Sequence, residues 1–301
     1  MKRVGFTLFI ILFLFLNISF AQVSVAVTGL LDNDARAYSR PLATYLGTYF
    51  NSNGYYTAEI PETFRFKFSI RGLYSLISND QKTFTPTPVS GYSLQPTATI
   101  FGNDGGGFLG PDGFRIYPTG FNASSIPLGI YQASGSLYGT ELMLRFFPNT
   151  KLGDTKTGLW GIGISHSLSQ WIPKLPIDFA IQVLYNNFDL EYSGGSDSKY
   201  LKVGSKNFAL NVHLSKTFSG MFIVYGGMQY ESSTMDLEYV FADPNDLYSS
   251  LKDKHQKISV DGDNAFRLTA GGAIKLAVIV LNADVNITSM FTVAGGITLE
   301  L

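Results

Sequence analysis

From residue 63 onward the chain alternates. In the run Thr63 to Gly72, Phe64, Phe66, Phe68 and Ile70 fall on one side, and Arg65, Lys67, Ser69 and Arg71 on the other. A strand turns successive side chains to opposite faces, so this period of two predicts a strand with unlike faces. The same pattern returns seven times. Trp160, Ile162 and Ile164 alternate with Gly161, Gly163 and Ser165. Phe179 to Tyr185, Phe208 to Leu214, Phe222 to Tyr230, Phe266 to Ile274, Ile279 to Ile287 and Val293 to Leu301 repeat it. Counted back from Leu301, strands are expected near 290–301, 277–288, 264–275, 220–241, 205–217, 177–191, 156–170 and 135–148, with one more before residue 134 and one at 62–77. Along 220–241 the apolar phase changes, from Met228 and Tyr230 to Met235, Leu237 and Tyr239. A bulge, or a strand that outgrows a membrane, accounts for such a change.

The separators decide between architectures. Thr217–Gly220, Lys275–Ala277 and Thr288–Met290 are short turns, whereas 78–134, 192–204 and 242–263 are long loops. Short turns on one side and long loops on the other are the habit of a transmembrane barrel. The expected fold is therefore all-β: an antiparallel up-and-down transmembrane β-barrel of about ten strands, within a range of 8–14. A secreted β-sandwich or a lipocalin-like binding protein also alternates, but its apolar face points inward. Small residues on the polar faces and Phe, Tyr and Trp near the strand ends favour the membrane.

Two regions break the period. Leu30 to Phe50 reads as helix in two pieces, the first capped by Asp34 and the second carrying Pro41 in its first turn. Tyr38, Leu42, Tyr45, Leu46, Tyr49 and Phe50 make an apolar stripe at helical spacing. Such a segment either lies against the barrel mouth or plugs the lumen. Segment 78–134 reads as loop, with Pro86, Pro88, Pro96, Pro111, Pro118 and Pro127 and the run Gly105–Gly107. Asp243 before Pro244 reads as the start of a short helix.

Composition changes the picture at the N-terminus. Lys2 and Arg3 precede an apolar run from Phe6 to Leu16, followed by Ser19 and Ala21 around an expected cut. That is a signal peptide, and the run is too short for a span of about 20 residues. The expected organisation is a signal peptide at 1–21, a plug-like helical segment at 22–61 and a barrel at 62–301. Removing Lys2 and Arg3 from 22 basic residues leaves 20 against 23 acidic ones, a net charge of −3. There is no cysteine. Thiolate metal sites, disulfides and a lipid-modified N-terminal cysteine are thereby excluded. With no basic excess, no nucleic-acid partner is expected.

Candidate chemistry is sparse. His166, His213 and His255 are the three histidines. Ser165 and Ser167 flank His166, and Ser215 lies close to His213; side chains on opposite strand faces do not make a nucleophile–base pair. Gly105–Gly107 lacks the Lys and helix of a phosphate loop. Asp261-Gly262-Asp263 and Asp243-Pro244-Asn245 lack the later residues of a calcium loop. Asn286-Ile287-Thr288 is a glycosylation pattern inside an expected strand. No enzyme activity, cofactor or metal is expected.

The residues facing away from the apolar side collect six basic groups, Arg65, Lys67, Arg71, Arg145, Arg267 and Lys275, and five acidic ones, Glu141, Asp178, Glu231, Asp284 and Glu300, a near balance. A ten-strand barrel is little wider than one that side chains fill, so a bonded ionic network is expected in the lumen. Tyr38, Tyr45, Tyr49, Phe50, Tyr55 and Tyr56 are the candidate gate.

Several segments resemble a known family: Asn53-Gly54-Tyr55-Tyr56-Thr57-Ala58, Thr99-Ile100-Phe101-Gly102, Gly139 to Pro148, Gly163 to Pro173 and Leu175-Pro176-Ile177-Asp178. They are similar to an uncharacterised, unknown-function family of Bacteroidetes-type outer-membrane barrels, distantly reminiscent of long-chain fatty-acid transporter barrels. Ala98 stands where that family has a Pro before Thr-Ile-Phe-Gly. The resemblance implies a bacterial outer-membrane location and carries no catalytic residues. The expected function is a small or gated passage for a small or hydrophobic solute, with outer-membrane lipid around it. The alternative is a non-transporting barrel that docks an envelope protein partner.

Overall fold

The computed structural model describes residues 30, 32–87, 95–103, 117–126, 128–172, 176–193, 200–241 and 250–301. Among the described residues one α-helix, α1, spans Asp32–Phe50. The strands in chain order are β1 Arg65–Ser75, β2 Thr83–Phe84, β3 Thr97–Ala98, β4 Leu128–Leu137, β5 Thr140–Leu152, β6 Thr155–Ser167 and β7 Asp178–Ser193. They continue as β8 Tyr200–Phe218, β9 Phe222–Val240, β10 His255–Asp261, β11 Phe266–Leu276, β12 Ile279–Ile287 and β13 Thr292–Glu300.

All strands but β2 and β3 belong to one sheet in which each pairs with its neighbours antiparallel. The sheet closes on itself: β13 pairs with β1 from Lys67↔Glu300 to Ser75↔Thr292. β10 and β11 both pair with β9, at Thr234–Val240 and at Phe222–Tyr230, and so share one stave. The result is a closed barrel of ten staves. Closure leaves no strand edge with unpaired amides, which an apolar surrounding demands.

The outer surface explains the period seen in the sequence. Ile70, Leu142, Leu144, Ile162, Ile164, Val212, Leu214, Val224, Leu281 and Ile297 all point outward and are exposed. This apolar belt lies between two rows of aromatic residues. Tyr131, Phe146 and Trp160 are directly cross-strand neighbours on three staves, and the row continues through Tyr185, Phe208, Tyr230 and Phe266. Phe64, Tyr138, Trp171, Phe218 and Phe222 ring the other end, beside the short turns. β12, with 9 residues, sets the belt height. At roughly 3.3 Å per residue and a tilt near 40°, that is about 23 Å, the thickness of the outward apolar band of membrane barrels.

Beyond the upper aromatic row the polarity inverts. β8 and β9 run on with polar residues outside, among them Lys202, Lys206, Asp236 and Glu238, and apolar ones inside: Leu201, Val203, Met235, Leu237 and Tyr239. β8 and β9 stay in continuous register across this point. The phase change at Met235 is thus a strand that outgrows the belt, and no bulge occurs there. The register shift that does occur lies between β5 and β6 at Phe147/Thr150, where Pro148 has no amide hydrogen to give the ladder.

Other expectations need correction. Residues 255–261 are strand β10, although 242–263 reads as loop. The reading fails because above the belt β10 turns polar His255, Lys257, Ser259 and Asp261 outward and buries only Ile258 and Val260. Likewise β4 starts at 128, inside the expected loop 78–134, and β7 and β8 shorten the loop expected at 192–204. The helix expected at Asp243, the triplet Asp243-Pro244-Asn245 and the run Gly105–Gly107 lie outside the described residues. α1 is a single helix that keeps Pro41 inside it, and Asp34 stands within its first turn instead of capping it. The helix is buried from Pro41 to Phe50, and that packing offsets the hydrogen bond that a proline removes.

Ile162→Lys, in the middle of the belt, is expected to lower folding free energy in a bilayer by about 2–4 kcal/mol, while Asp236→Lys, above it, changes little. Denaturant titration of the protein in phospholipid vesicles measures both.

Candidate functional site

The barrel encloses the chain's own N-terminal segment. α1 occupies the upper half, packed on β8, β9 and β10, and is buried from Tyr38 to Phe50 apart from Arg40. Its apolar stripe meets the inward apolar residues of the extended strands, and together they form the main hydrophobic core. Loop residues fold in over it. Tyr38 donates its hydroxyl to Thr119 O (3.1 Å), and Tyr45 donates to Ile126 O. Tyr45 also packs edge-on against Phe101, with ring centroids 5.8 Å apart. Burial pushes both phenols up, so they remain protonated donors. At the helix start, Asp34 accepts from Tyr117 (2.7 Å) and from the Thr87 amide (2.8 Å). Gly47 sits against the point where β10 gives way to β11; a Cβ there would fall within 2.6 Å of Ser233 and Asn264.

After α1 the chain runs down the lower lumen. Asn51 donates to Phe208 O and Asn53 to Gly295 O, both at 3.1 Å, on opposite sides of the ring. Tyr55 stacks on His213 at 4.0 Å. Tyr56 donates to Glu300 (2.6 Å), and the Ala58 amide donates to Ser215 Oγ (2.9 Å). The chain leaves at the short-turn end, where Gly139 and Tyr138 donate to Pro61 O and Glu62 O. Of the six aromatic residues named as a candidate gate, Tyr38, Tyr45, Tyr49 and Phe50 lie on α1, and Tyr55 and Tyr56 lie in the thread below it.

Two arginines hold the middle of the plug. Arg145 on β5 and Arg267 on β11 are each 1% exposed. Arg145 donates Nη1 to Phe50 O and Nη2 to Ser52 O, both at 2.7 Å, and Nε to Gln132 at 3.1 Å. Arg267 donates to Thr48 O (2.7 Å) and to Ser52 Oγ. Asn186 and Gln229 add donors to Phe50 O (2.8 Å) and Asn51 O (3.1 Å). Apart from Ser52 Oγ and the Gln132 side chain on β4, these oxygens are the last carbonyls of α1 and the turn after it, where no helical amide reaches them. The helix C-terminus carries about half a negative charge, which suits a guanidinium.

The remaining inward charges sort into groups. Lys67 bonds Glu141 at 2.6 Å and Arg267 pairs with Glu231 at 2.9 Å. Glu300 takes Lys275, Tyr56 and, at 3.6 Å, Arg65, which also reaches Glu59 at 3.2 Å. Among the described residues Arg71 bonds only neutral oxygens, those of Asn53 (2.9 Å) and Asn282 (2.7 Å), beside the Tyr56 ring. Asp284 is bonded by Tyr225 (2.9 Å) and Asn286 (2.7 Å). Asp178 stands apart, half-buried at the short-turn rim, with no cation paired to it among the described residues. The charge reading therefore missed the carbonyl partners of Arg145, which have no signature in a count of charges.

Among the described residues no serine hydroxyl is bonded to a histidine. His166 lies at the short-turn rim between Thr140 (2.9 Å) and Gln170 (2.7 Å), against Trp171. Ser215 does share the inner face with His213, two residues away, which corrects the reading that places them on opposite faces. Even so, His213 bonds Asn211 (2.7 Å) and Ser215 bonds Thr57. Among the described residues, no group of three or more acidic or histidine side chains is placed to hold a metal.

A closed ten-stave ring, an apolar belt between aromatic rows and a filled polar lumen define a plugged barrel of membrane type. The chain matches a family of unknown function (DUF6588) over residues 1–301, and it belongs to that family. No curated protein matches its sequence. Among solved structures it is similar to Ail, the attachment invasion locus protein of Yersinia pestis, at 9% identity and a TM-score of 0.29, covering 79% of this chain and 98% of that one. It is similar to the β domain of the Bordetella autotransporter BrkA at 9% identity and a TM-score of 0.33, covering 78% and 98%. The Ralstonia pickettii toluene transporter TbuX is matched at 10% identity and a TM-score of 0.22, covering 93% and 97%.

Arg267→Ala leaves Glu231 buried without its cation and is expected to cost about 3–5 kcal/mol. Joint replacement by Arg267→Met and Glu231→Leu is expected to recover much of that loss. Thermal melts in detergent compare the two.

Proposed function

We propose that this protein is a bacterial outer-membrane barrel, exported by a cleaved signal peptide at 1–21, in which residues 30–58 gate a passage for a small or hydrophobic solute. The reading is carried by the chemistry of the seal. The lower lumen wall is polar, with Gln132, Ser165, Gln182, Asn186, Asn211 and Gln229 facing the plug. Its bonds to the plug run mostly to main-chain oxygens, and water can replace each of them at a net cost of about 1 kcal/mol. Below α1, a thread that served only as filler would be held better by apolar packing. In this arrangement the long loops face outward and the short turns face the periplasm.

A second reading has its own support. β7, β8 and β9 rise above the belt with polar outer faces. That projecting wall suits a barrel that docks an envelope protein partner instead of passing a solute.

Fractionation with carbonate extraction tests the location: the protein is expected in the membrane pellet, and recovery in the soluble periplasm overturns it. Planar-bilayer recording tests the gate. The wild type is expected to be closed, and full-length protein carrying Tyr38→Ala and Tyr45→Ala, which loosen the upper packing, to open in bursts. A large steady wild-type conductance refutes the filled lumen, and a loosened variant that stays silent favours docking.

A further inference from the structure

Arg145 is fully buried, yet among the described residues no carboxylate pairs with it. Its two terminal nitrogens instead reach two oxygens at the same 2.7 Å distance, Phe50 O and Ser52 O. Two parallel bonds from one guanidinium are the way arginine receives a carboxylate or a phosphate. Its neighbours repeat the pattern around the same turn. Arg267 bonds Thr48 O and Ser52 Oγ, and Arg71 bonds Asn53 Oδ1. Three arginines from β1, β5 and β11 thus converge on neutral oxygens of residues 48–53. Of the three, only Arg267 has a carboxylate in ion-pair contact among the described residues.

Among the described residues Arg145 meets only carbonyls and an amide, so it is satisfied in hydrogen bonds but not in charge. When the turn at 48–53 withdraws, the wall keeps its three guanidinium groups and gains free donors arranged for an anion. We propose that Arg71, Arg145 and Arg267 form an oxyanion-recognition site, held shut by the plug's own oxygens, and that the solute is a small anion carrying a carboxylate or a phosphate. The anion and the turn compete for the same donors, so binding of one favours release of the other. This rests on the reading of residues 30–58 as a gate, and it narrows the solute by its charge.

Two measurements on full-length protein test it. The first records the reversal potential of the loosened variant, Tyr38→Ala with Tyr45→Ala, in gradients of potassium acetate and potassium phosphate. Anion permeability is expected to exceed cation permeability about tenfold, as three guanidinium groups gathered at the opened turn concentrate the opposite ion. Adding Arg145→Gln is expected to remove most of that preference. The second uses the absence of native cysteine. Thr48 is buried in the plug with its hydroxyl unpartnered among the described residues, so Thr48→Cys is a mild reporter. Acetate or phosphate, compared with chloride at equal ionic strength, is expected to speed maleimide labelling of Cys-bearing protein several-fold, and Arg145→Gln to abolish the difference. Acceleration by phosphate alone, or by acetate alone, assigns the anion. An open variant without anion preference, or labelling indifferent to the anion, overturns the oxyanion site and leaves the gate standing. A loosened variant that stays silent, with unlabelled Thr48→Cys, overturns the gate and this inference together.

Discussion

A guanidinium cannot be taken out of water unless oxygens surround it, and in this barrel the oxygens come from the plug. Arg145 and Arg267 grip the carbonyls that a helix leaves unpaired at its end. The two needs answer each other: α1 requires donors past Phe50, and the wall requires acceptors. Much else follows from that fit. It fixes how deep α1 sits, since a shift by one turn would strand both partners. It also sets where the chain stops being helix and becomes the extended thread that fills the lower lumen.

The barrel is built as two halves of opposite polarity stacked along one set of strands. Below, the outside is apolar and the inside polar, with the thread bonded across it. Above, the outside is polar and the inside apolar, with α1 as its core. β8 and β9 pass from one regime to the other without a break in register. The upper half is thus a small soluble-type domain whose hydrophobic core is a helix in a ring, and it stands on a membrane-type base.

This division also decides what was readable in the sequence. Where lipid-type burial sets the rule, the period of two is plain, and β1, β6 and β12 stand out from their residues alone. Ten staves follow from counting those periods. Where the rule inverts, the signal weakens: β10 hides in a polar stretch because only Ile258 and Val260 turn inward. Pro41 suggests a break in the helix because a sequence does not reveal a surrounding wall that tolerates one. The inward charges could be assembled by alternation, but their partners could not. Main-chain carbonyls belong to every residue and mark none, so nothing in the sequence points Arg145 toward Phe50 and Ser52.

The seam between β1 and β13 carries a consequence for assembly. Glu300 lies on the closing strand, and it bonds Tyr56 of the thread, 244 residues earlier, as well as Lys275 and Arg65. Ring closure between chain ends this distant is the slow, entropically costly event of such a fold. Because the thread supplies one of the bonds that lock the seam, seating the plug and shutting the ring are coupled steps. A ring closed without the plug would leave Glu300 and Tyr56 without this bond. β13 therefore carries a bond that exists only when plug and ring are both in place.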